Sequence, residues 1–539
     1  MDFQVVIDQV DASCSPSKPE DALEGLWKSS RGWPTDRRTE PLERSKQLHD
    51  FETYGPKMNL KGLAQTDLTG LYWVTLPNEG SYKAFSKKVE AALTVMPVAS
   101  MPRSFVKPMT LVYRQDSKKT SIGVPRFWGL SMFGSPTKDH RVDAKYEGPT
   151  KFLGTLKDMQ VKAVEQTQTY FRTWGGATMI ADCGFGKTAT AIALGCFSGQ
   201  KCLILCNREI LMDQWVDAIQ KFCGPTTVGY IQRWPYNKGP QDGTLTVRPT
   251  DTNLFETCLF TVGSIQSFSE CEYPKDLYKK FGLVIIDEMH HIAAKSLVHV
   301  VPLFHARRVL GLTATPNRSD GLEDVLYWLT GPVSFVYQRT PEVTGVRGSV
   351  IVTHVVFTQG LQKEIMYKDG SLGIASMMTE LSNDDTRNEC LEFLIRKALE
   401  HRAKVMVVVS HVAHGKLLFD RNITEKQAIM CGPHQMPEKA KDPDTRIVFA
   451  TYSLLEEGYD DPKLDALVLA MPRSRVQQTI GRVERSHPGK QVPWVLDLTD
   501  AFSMFPAMHY KRKSFYKSRG FSYRSYTWTS GNDALTPDV

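Results

Sequence analysis

The stretch ADCGFGKTAT, residues 181–190, decides how this chain of 539 residues is read. It follows the apolar, strand-like ATMI (177–180) and precedes AIALGCF (191–197), which reads as the start of a helix. A phosphate chain is held by backbone N–H groups pointing inward, a helix N-terminus behind them and a lysine that reaches the outer oxygens. Gly184 and Gly186 supply the tight turn, Lys187 the charge and Thr188 a hydroxyl for Mg²⁺, with Ala181 and Cys183 completing the loop. The motif G-x-x-x-x-G-K-[ST] is met with one departure: its first glycine is Ala181.

A second signal supports the first. In VIIDEMHH, residues 284–291, Asp287 and Glu288 leave the C-terminal end of an apolar strand, the edge where open α/β sheets bind ligands. An aspartate there suits Mg²⁺ and the neighbouring glutamate suits an attacking water. Two solvated acids at a strand end would be the bland alternative; the phosphate loop one hundred residues upstream disfavours it.

Working outward, short apolar runs recur with helix-like stretches between them: ATMIAD, KCLILCN, ETCLFTV, FGLVIIDE and RRVLGLTAT, then VMVVVS, RIVFAT, DALVLAMP and WVLDLT. Such runs read as strands buried on both faces of a parallel sheet. Two consecutive α/β domains follow, at 150–340 and 341–505, joined near Pro332–Gly348. Ahead of them, residues 1–149 read as a small α/β or β-rich accessory domain whose first ~50 residues are partly disordered in composition. Behind them, 506–539 reads as a basic, aromatic tail. Its Lys511, Arg512, Lys513, Lys517, Arg519 and Arg524 interleave with Phe515, Tyr516, Phe521, Tyr523 and Tyr526. That pattern fits either phosphate and base contacts or an amphipathic helix packed on the preceding domain.

Bulk properties agree with a soluble, multidomain enzyme: 41% hydrophobic and 23% charged residues, with a net charge of +7 that fits a polyanionic partner without demanding one. No run has the roughly 18–20 apolar residues of a membrane span, and the N-terminus carries no secretory signal pattern. The ten cysteines form no C-x-x-C pair, so reduced, buried thiols and no zinc site are expected. The compartment is then intracellular and reducing: nucleus or cytoplasm, or viral factory or virion for a viral chain.

QQTIGRVERSHPGK, residues 477–490, adds a third signal. On a helix beginning near Ser474, Gln478, Arg482 and Arg485 fall at i, i+4 and i+7 and share one face. Two guanidinium groups presented together suit a developing γ-phosphate charge.

The ordered set resembles helicase superfamily 2 of the DExH type, over roughly residues 150–500. LKDMQ resembles the adenine-reading segment, with Gln160 lying 27 residues before Lys187. CNREILMDQW (206–215), with Arg208 and Gln214, and TVGSIQSF (261–268), with Gln266, resemble the two segments that follow the nucleic-acid backbone. Thr313-Ala314-Thr315 resembles motif III, VMVVVSHVAH (405–414) motif IV, and FATYSLLEEGYDDP motif V with Thr451, Gly458 and Asp460. Q-x-x-G-R-x-x-R resembles motif VI. GLTATPNRSDGLED, VPRFWG (124–129) and NDDTRN (383–388) are similar to the branch holding the XPB repair and transcription helicase and relatives from large DNA viruses and phages.

The resemblance implies two tandem RecA-like domains closing on ATP and Mg²⁺. Lys187, Thr188, Asp287 and Glu288 would come from one domain; Gln478, Arg482 and Arg485 from the other. It implies a nucleic-acid partner, DNA ahead of RNA, with 3′-to-5′ polarity, no membrane, and transcription or repair machinery as associates. Oligomeric state is not legible. The rival readings are a transcript-directed RNA motor and a nucleic-acid-binding scaffold with a decayed ATPase, the latter disfavoured because Lys187, Asp287, Glu288 and Arg482 are all present.

Overall fold

The computed structural model describes residues 58, 60, 63–96, 108–114, 119–232, 245–246, 257–291, 294–314, 321–338, 349–361, 363–367, 370, 372–457, 461–485, 487–529 and 534–537. The first ~50 residues, read as partly disordered, lie outside the described set. Two compact units are found: Met1–Ala181 with Gly186–Val336, and Asp182–Phe185 with Tyr337–Val539. The break falls inside the stretch expected to join the α/β domains. No helix among the described residues is long and apolar enough to cross a membrane.

The first unit is built on an eight-stranded sheet. Its order is Leu245–Thr246, Gly229–Ile231, Phe260–Ser264, Cys202–Cys206, Leu283–Ile286, Arg308–Thr313, Gly176–Ala181 and Val333–Tyr337. Pairings from Leu245–Thr246 through to Gly176–Ala181 are parallel. The runs read as two-faced strands are indeed buried along their lengths, as in Gly176–Ala181 and Leu283–Ile286. All of these parallel strands present their C-terminal ends to one edge, so the phosphate loop after Ala181 and the acids after Ile286 share that edge.

The accessory region forms a five-stranded sheet in the order Tyr113–Arg114, Ser121–Pro125, Leu71–Thr75, Gln65–Leu68 and Lys138–Asp139. Among the described residues its buried apolar side chains share the core of the large sheet. Tyr72, Phe127 and Trp128 belong to the same hydrophobic cluster as Leu203 and Val284 of the large sheet and Phe304, which precedes its strand Arg308–Thr313. The VPRFWG segment makes this join. Its residues from Arg126 lie in the helix Arg126–Phe133, buried at every position. A Cβ on Gly129 would sit 2.4 Å from Tyr72 Cβ, so only glycine fits there. Arg126, buried with it, donates from Nη2 to the carbonyl of Ala306 at 3.0 Å. Residues 1–149, expected as a separate domain, are therefore packed into the first unit over their described part.

The second unit is a nine-stranded sheet, in the order His434–Gln435, Gln427–Cys431, Ile447–Thr451, Val405–Val409, Ala466–Leu469, Trp494–Asp500, Ile351–Phe357, Ser522–Thr529 and Ala534–Pro537. All internal pairings are parallel; the two outermost are antiparallel. The tail is thus no appendage: 506–539 contributes the helix Phe505–Ser518 and two strands. Phe505, His509, Arg512 and Tyr516 form the buried face of that helix. Arg512 pairs with buried Asp497 at 2.7 Å, and Tyr516 donates to the same carboxylate at 2.8 Å. Burial alone would raise the Asp497 pKa; Arg512 and His509 more than offset it and hold the carboxyl well below the usual range. The packing alternative holds for these residues, while Tyr510, Lys511, Lys513 and Lys517 remain exposed.

NDDTRN also finds its place. Asp384 caps the helix Asp385–His401 by accepting from the Arg387 N–H. Arg387 forms a buried bidentate pair with Asp500, at 2.7 and 3.0 Å. Asn388 Oδ1 lies 2.9 Å from His414 Nε2, in the motif IV segment. Burial and the nearby Arg387 push the His414 pKa down to about 3, so its ring is neutral and donates from Nε2.

Candidate nucleotide-binding site

The strand Gly176–Ala181 ends in the loop at the left-handed Gly184 (φ 80°) and Gly186 (φ 95°), and the helix Lys187–Ser198 begins directly after. Gly186 meets a second demand, because a Cβ there would lie 2.4 Å from the side-chain nitrogen of Gln160. The adenine-reading glutamine expected from sequence thus abuts the phosphate loop. Its own carbonyl oxygen accepts from the Lys157 N–H at 2.8 Å, at the start of the helix Asp158–Thr173. Ala181, at the position of the usual first glycine, is still the last residue of the strand, where a Cβ is tolerated. Thr188 stands in the first turn of the following helix, and Cys183 is half-buried in the loop.

Lys187 is buried. Its Nζ donates to the Ala181 carbonyl at 2.9 Å and lies 3.7 Å from Glu288 Oε1. The Glu288 backbone is the telling feature. Its φ of 41° is one of three positive values among described non-glycine residues, a conformation that costs energy and clusters at functional sites. Glu288 also lies 3.5 Å from His290, whose Nδ1 is 2.7 Å from the Thr313 hydroxyl. The DExH acids and the first motif III threonine are therefore linked through His290, a residue to which sequence reasoning gave no role.

Asp287 is held on both oxygens. Oδ1 accepts from the Glu288 N–H at 2.9 Å and Oδ2 from the Trp215 indole at 2.8 Å. Burial, then the neighbouring Glu288 charge, push its pKa up to about 6, against the lowering by Trp215 and Lys187. A buried carboxylate that is costly to ionise, near a threonine hydroxyl, fits a divalent cation: Thr188 and Asp287 would hold Mg²⁺.

The raised value gives Asp287 its own contribution to the pH dependence of the metal-free protein. The unfolded carboxyl ionises near pH 4, while the folded one keeps its proton to about 6. The contribution of this group to stability is thus lost as pH rises through that window, by about 3 kcal/mol at most. In EDTA, the unfolding free energy of Asp287→Asn minus that of the wild type should grow between pH 4 and 6 and then level off. A difference that stays flat over the range contradicts this environment for Asp287.

Two further sequence-expected segments meet at the same sheet edge. Cys202–Cys206 and Phe260–Ser264 are adjacent parallel strands, and Gln266, just past the second, donates to the carbonyl of Asn207, just past the first, at 2.7 Å. Arg208 stands at the N-cap position of the helix Glu209–Cys223 and is exposed, as is Gln266; Gln214 is half-buried on that helix. In the second unit, Thr451 ends its strand 3.2 Å from the Ser453 hydroxyl. The motif VI helix is shorter than expected. It spans Gln477–Val483 and closes at Glu484, so Arg485 lies beyond its end rather than on its face. The physical reason is a chain that enters through a non-helical Val476 (φ −130°, ψ 8°) anchored in the core and then runs into Pro488-Gly489. Gln478 is buried in its first turn, and Arg482 Nε donates to the Leu455 carbonyl at 3.1 Å. Burial lowers the Arg485 pKa. Thr315, Gly458 and Asp460 lie outside the described residues.

Comparison with known proteins gives an independent view. The family described as the res subunit of type III restriction enzymes matches residues 153–318. A protein of Acanthamoeba polyphaga mimivirus named as an ATP-dependent RNA helicase is 23% identical over 458 residues, covering 82% of this chain and 83% of its own. A helicase named D10 of Escherichia phage T5 is 24% identical over 332 residues, covering 58% of this chain and 66% of its own. Among solved structures, the ATP-dependent type ISP restriction-modification enzyme LlaBIII bound to DNA superposes with a TM-score of 0.51. It is 15% identical and covers 71% of this chain and 32% of that one, a likeness of fold.

Proposed function

We propose that this chain, which belongs to helicase superfamily 2 and is a nucleic-acid-dependent ATPase, is a DNA-directed motor of the XPB-like branch. In this reading it moves along or opens duplexes during transcription or repair. The observation that carries the reading is the cluster of Lys187, Asp287, strained Glu288 and His290 at one sheet edge, linked to Thr313. That edge also carries Asn207, Arg208 and Gln266.

In this mechanism Lys187 leaves the Ala181 carbonyl for the β/γ oxygens of ATP, and Gln160 reads the adenine edge. Glu288 orients a water whose oxygen attacks the γ-phosphorus; the bond to the β-γ bridging oxygen breaks, and Glu288 accepts the water proton. Mg²⁺, held by Thr188 and Asp287, would supply charge against the phosphate oxygens. By the resemblance, Arg482 stabilises the charge that develops on the γ-phosphoryl, with Arg485, Gln478 and Thr451 in supporting roles. Loss of the γ-phosphate is felt at His290 and Thr313, and from there by the strand-facing segments.

RNA is the second reading, favoured by the name of the mimivirus relative. Strand displacement on matched forked DNA and forked RNA separates the two. The proposal expects ATP-dependent opening of, or ATP consumption on, the DNA substrate. Action confined to RNA overturns it.

A further inference from the structure

Trp215 carries the one side chain, among the hydrogen bonds resolved at the site, that donates to the Asp287 carboxylate. It sits in the middle of the helix Glu209–Cys223, whose apolar face of Leu211, Met212, Trp215, Val216 and Ile219 packs inward. On sequence periodicity Trp215 is simply one of those core residues. Its ring is 2% exposed, yet its one polar atom points at the acid that follows the neighbouring strand Leu283–Ile286.

The indole N–H is a donor only and does not titrate, so it pairs with a carboxylate oxygen and cannot compete for a cation. The two oxygens of Asp287 are thereby fixed by different anchors. The Glu288 N–H holds Oδ1, and Trp215 holds Oδ2. Without the second anchor, the carboxylate is free to turn about its last torsion, which is broad and two-fold for aspartate. A ligand whose orientation is fixed by an outer hydrogen bond binds metal more tightly than one that must be ordered on binding.

We propose that Trp215 is a positioning residue for this reaction: its indole N–H sets the Asp287 carboxylate in the orientation that receives the divalent cation of the nucleotide. The inference rests on Asp287 being a metal ligand, the reading given above. Trp215 lies seven residues, about two helical turns, after Arg208, so the same rigid helix runs from the strand-facing loop to the metal-holding acid.

The test uses the full-length chain and the non-hydrolysable nucleotide AMP-PNP. Its affinity is measured with Mn²⁺ and again in EDTA, with the bound manganese followed by electron paramagnetic resonance. The ratio of the two affinities isolates the metal contribution without reference to turnover. In Trp215→Phe, the aromatic ring stays and the donor is lost. The ratio should fall about tenfold, as for loss of an orienting partner of a metal ligand, with the EDTA affinity unchanged. Asp287→Asn should lower the ratio as well, and Trp215→Phe in that background should add no further loss, because its effect passes through the carboxylate.

An unchanged ratio in a folded Trp215→Phe protein overturns the proposal, as does a loss that persists undiminished in the Asp287→Asn background. If Trp215→Phe fails to fold, Trp215→His, which keeps a ring N–H, is measured in its place and should keep the wild-type ratio, a tenfold fall there overturning the proposal. Failure of both to fold also overturns the proposal, since that outcome makes the residue scaffold. A wild-type ratio of one instead sinks the metal-ligand reading of Asp287 and leaves the fault there, not at Trp215.

Discussion

Lys187→Ala loses nucleic-acid-stimulated ATP turnover down to background while keeping its fold. The ammonium group sits at the N-terminal end of the helix Lys187–Ser198, where it adds a full charge to the partial charge of the helix terminus. Before nucleotide arrives, it is held by the Ala181 carbonyl at 2.9 Å and faces Glu288 at 3.7 Å. That arrangement keeps the charge in place at little reorganisation cost when phosphate replaces the carbonyl. Loss of one such preorganised group costs about 10²–10³-fold in rate. Here the same group also binds the ground state, so nucleotide affinity should fall with it. The fold survives because Lys187 makes no part of the apolar core, and its removal also relieves the burial of a charge. ATP hydrolysis and circular dichroism on the same preparation check both halves. Turnover near wild type would mean that ADCGFGKTAT does not hold the triphosphate.

Arg482→Ala behaves differently: ATP still binds with nearly unchanged affinity, and kcat falls by about 10³-fold or more, as for removal of a guanidinium that acts on the γ-phosphoryl charge. The side chain is braced by its Nε bond to the Leu455 carbonyl, so the planar fork is held before the reaction begins. Loss of that bond costs only about 1 kcal/mol of stability, too little to unfold the second unit. Single-turnover kinetics with saturating ATP separate the chemical step from binding. A kcat equal to wild type removes Arg482 from this role.

The strand–loop–helix turn at 181–187 and the buried strand ahead of Asp287 were legible in sequence because their geometry is local. Two glycines, a lysine and a threonine within positions 184–188 specify a turn and a helix start, and four apolar residues before Asp287 specify a buried strand. Where function depends on contacts distant along the chain, the sequence was silent. Trp215 reads as one more core residue until its indole is found beside Asp287, 72 positions away. Ile351–Phe357 escapes recognition as a central strand because His354 interrupts its apolar run. In the fold that ring stacks on His509 at 3.6 Å and lies 2.8 Å from the Ser525 hydroxyl, both far downstream. The same long-range pairing resolves the end of the chain, whose alternating basic and aromatic residues suited two readings equally. Asp497 draws Arg512 and Tyr516 inward, and only the partner reveals which residues turn away from solvent. The motif VI helix begins later and ends sooner than its sequence face suggests, since a face drawn at i, i+4 and i+7 takes no account of the non-helical Val476 or of Pro488-Gly489.

The most direct measurement is ATP turnover by the intact chain at saturating Mg²⁺ and ATP, with and without a saturating oligonucleotide. A site whose Glu288 is tied through His290 to Thr313 should turn over slowly alone and severalfold faster with the strand bound. Equal rates in the two conditions would contradict a motor.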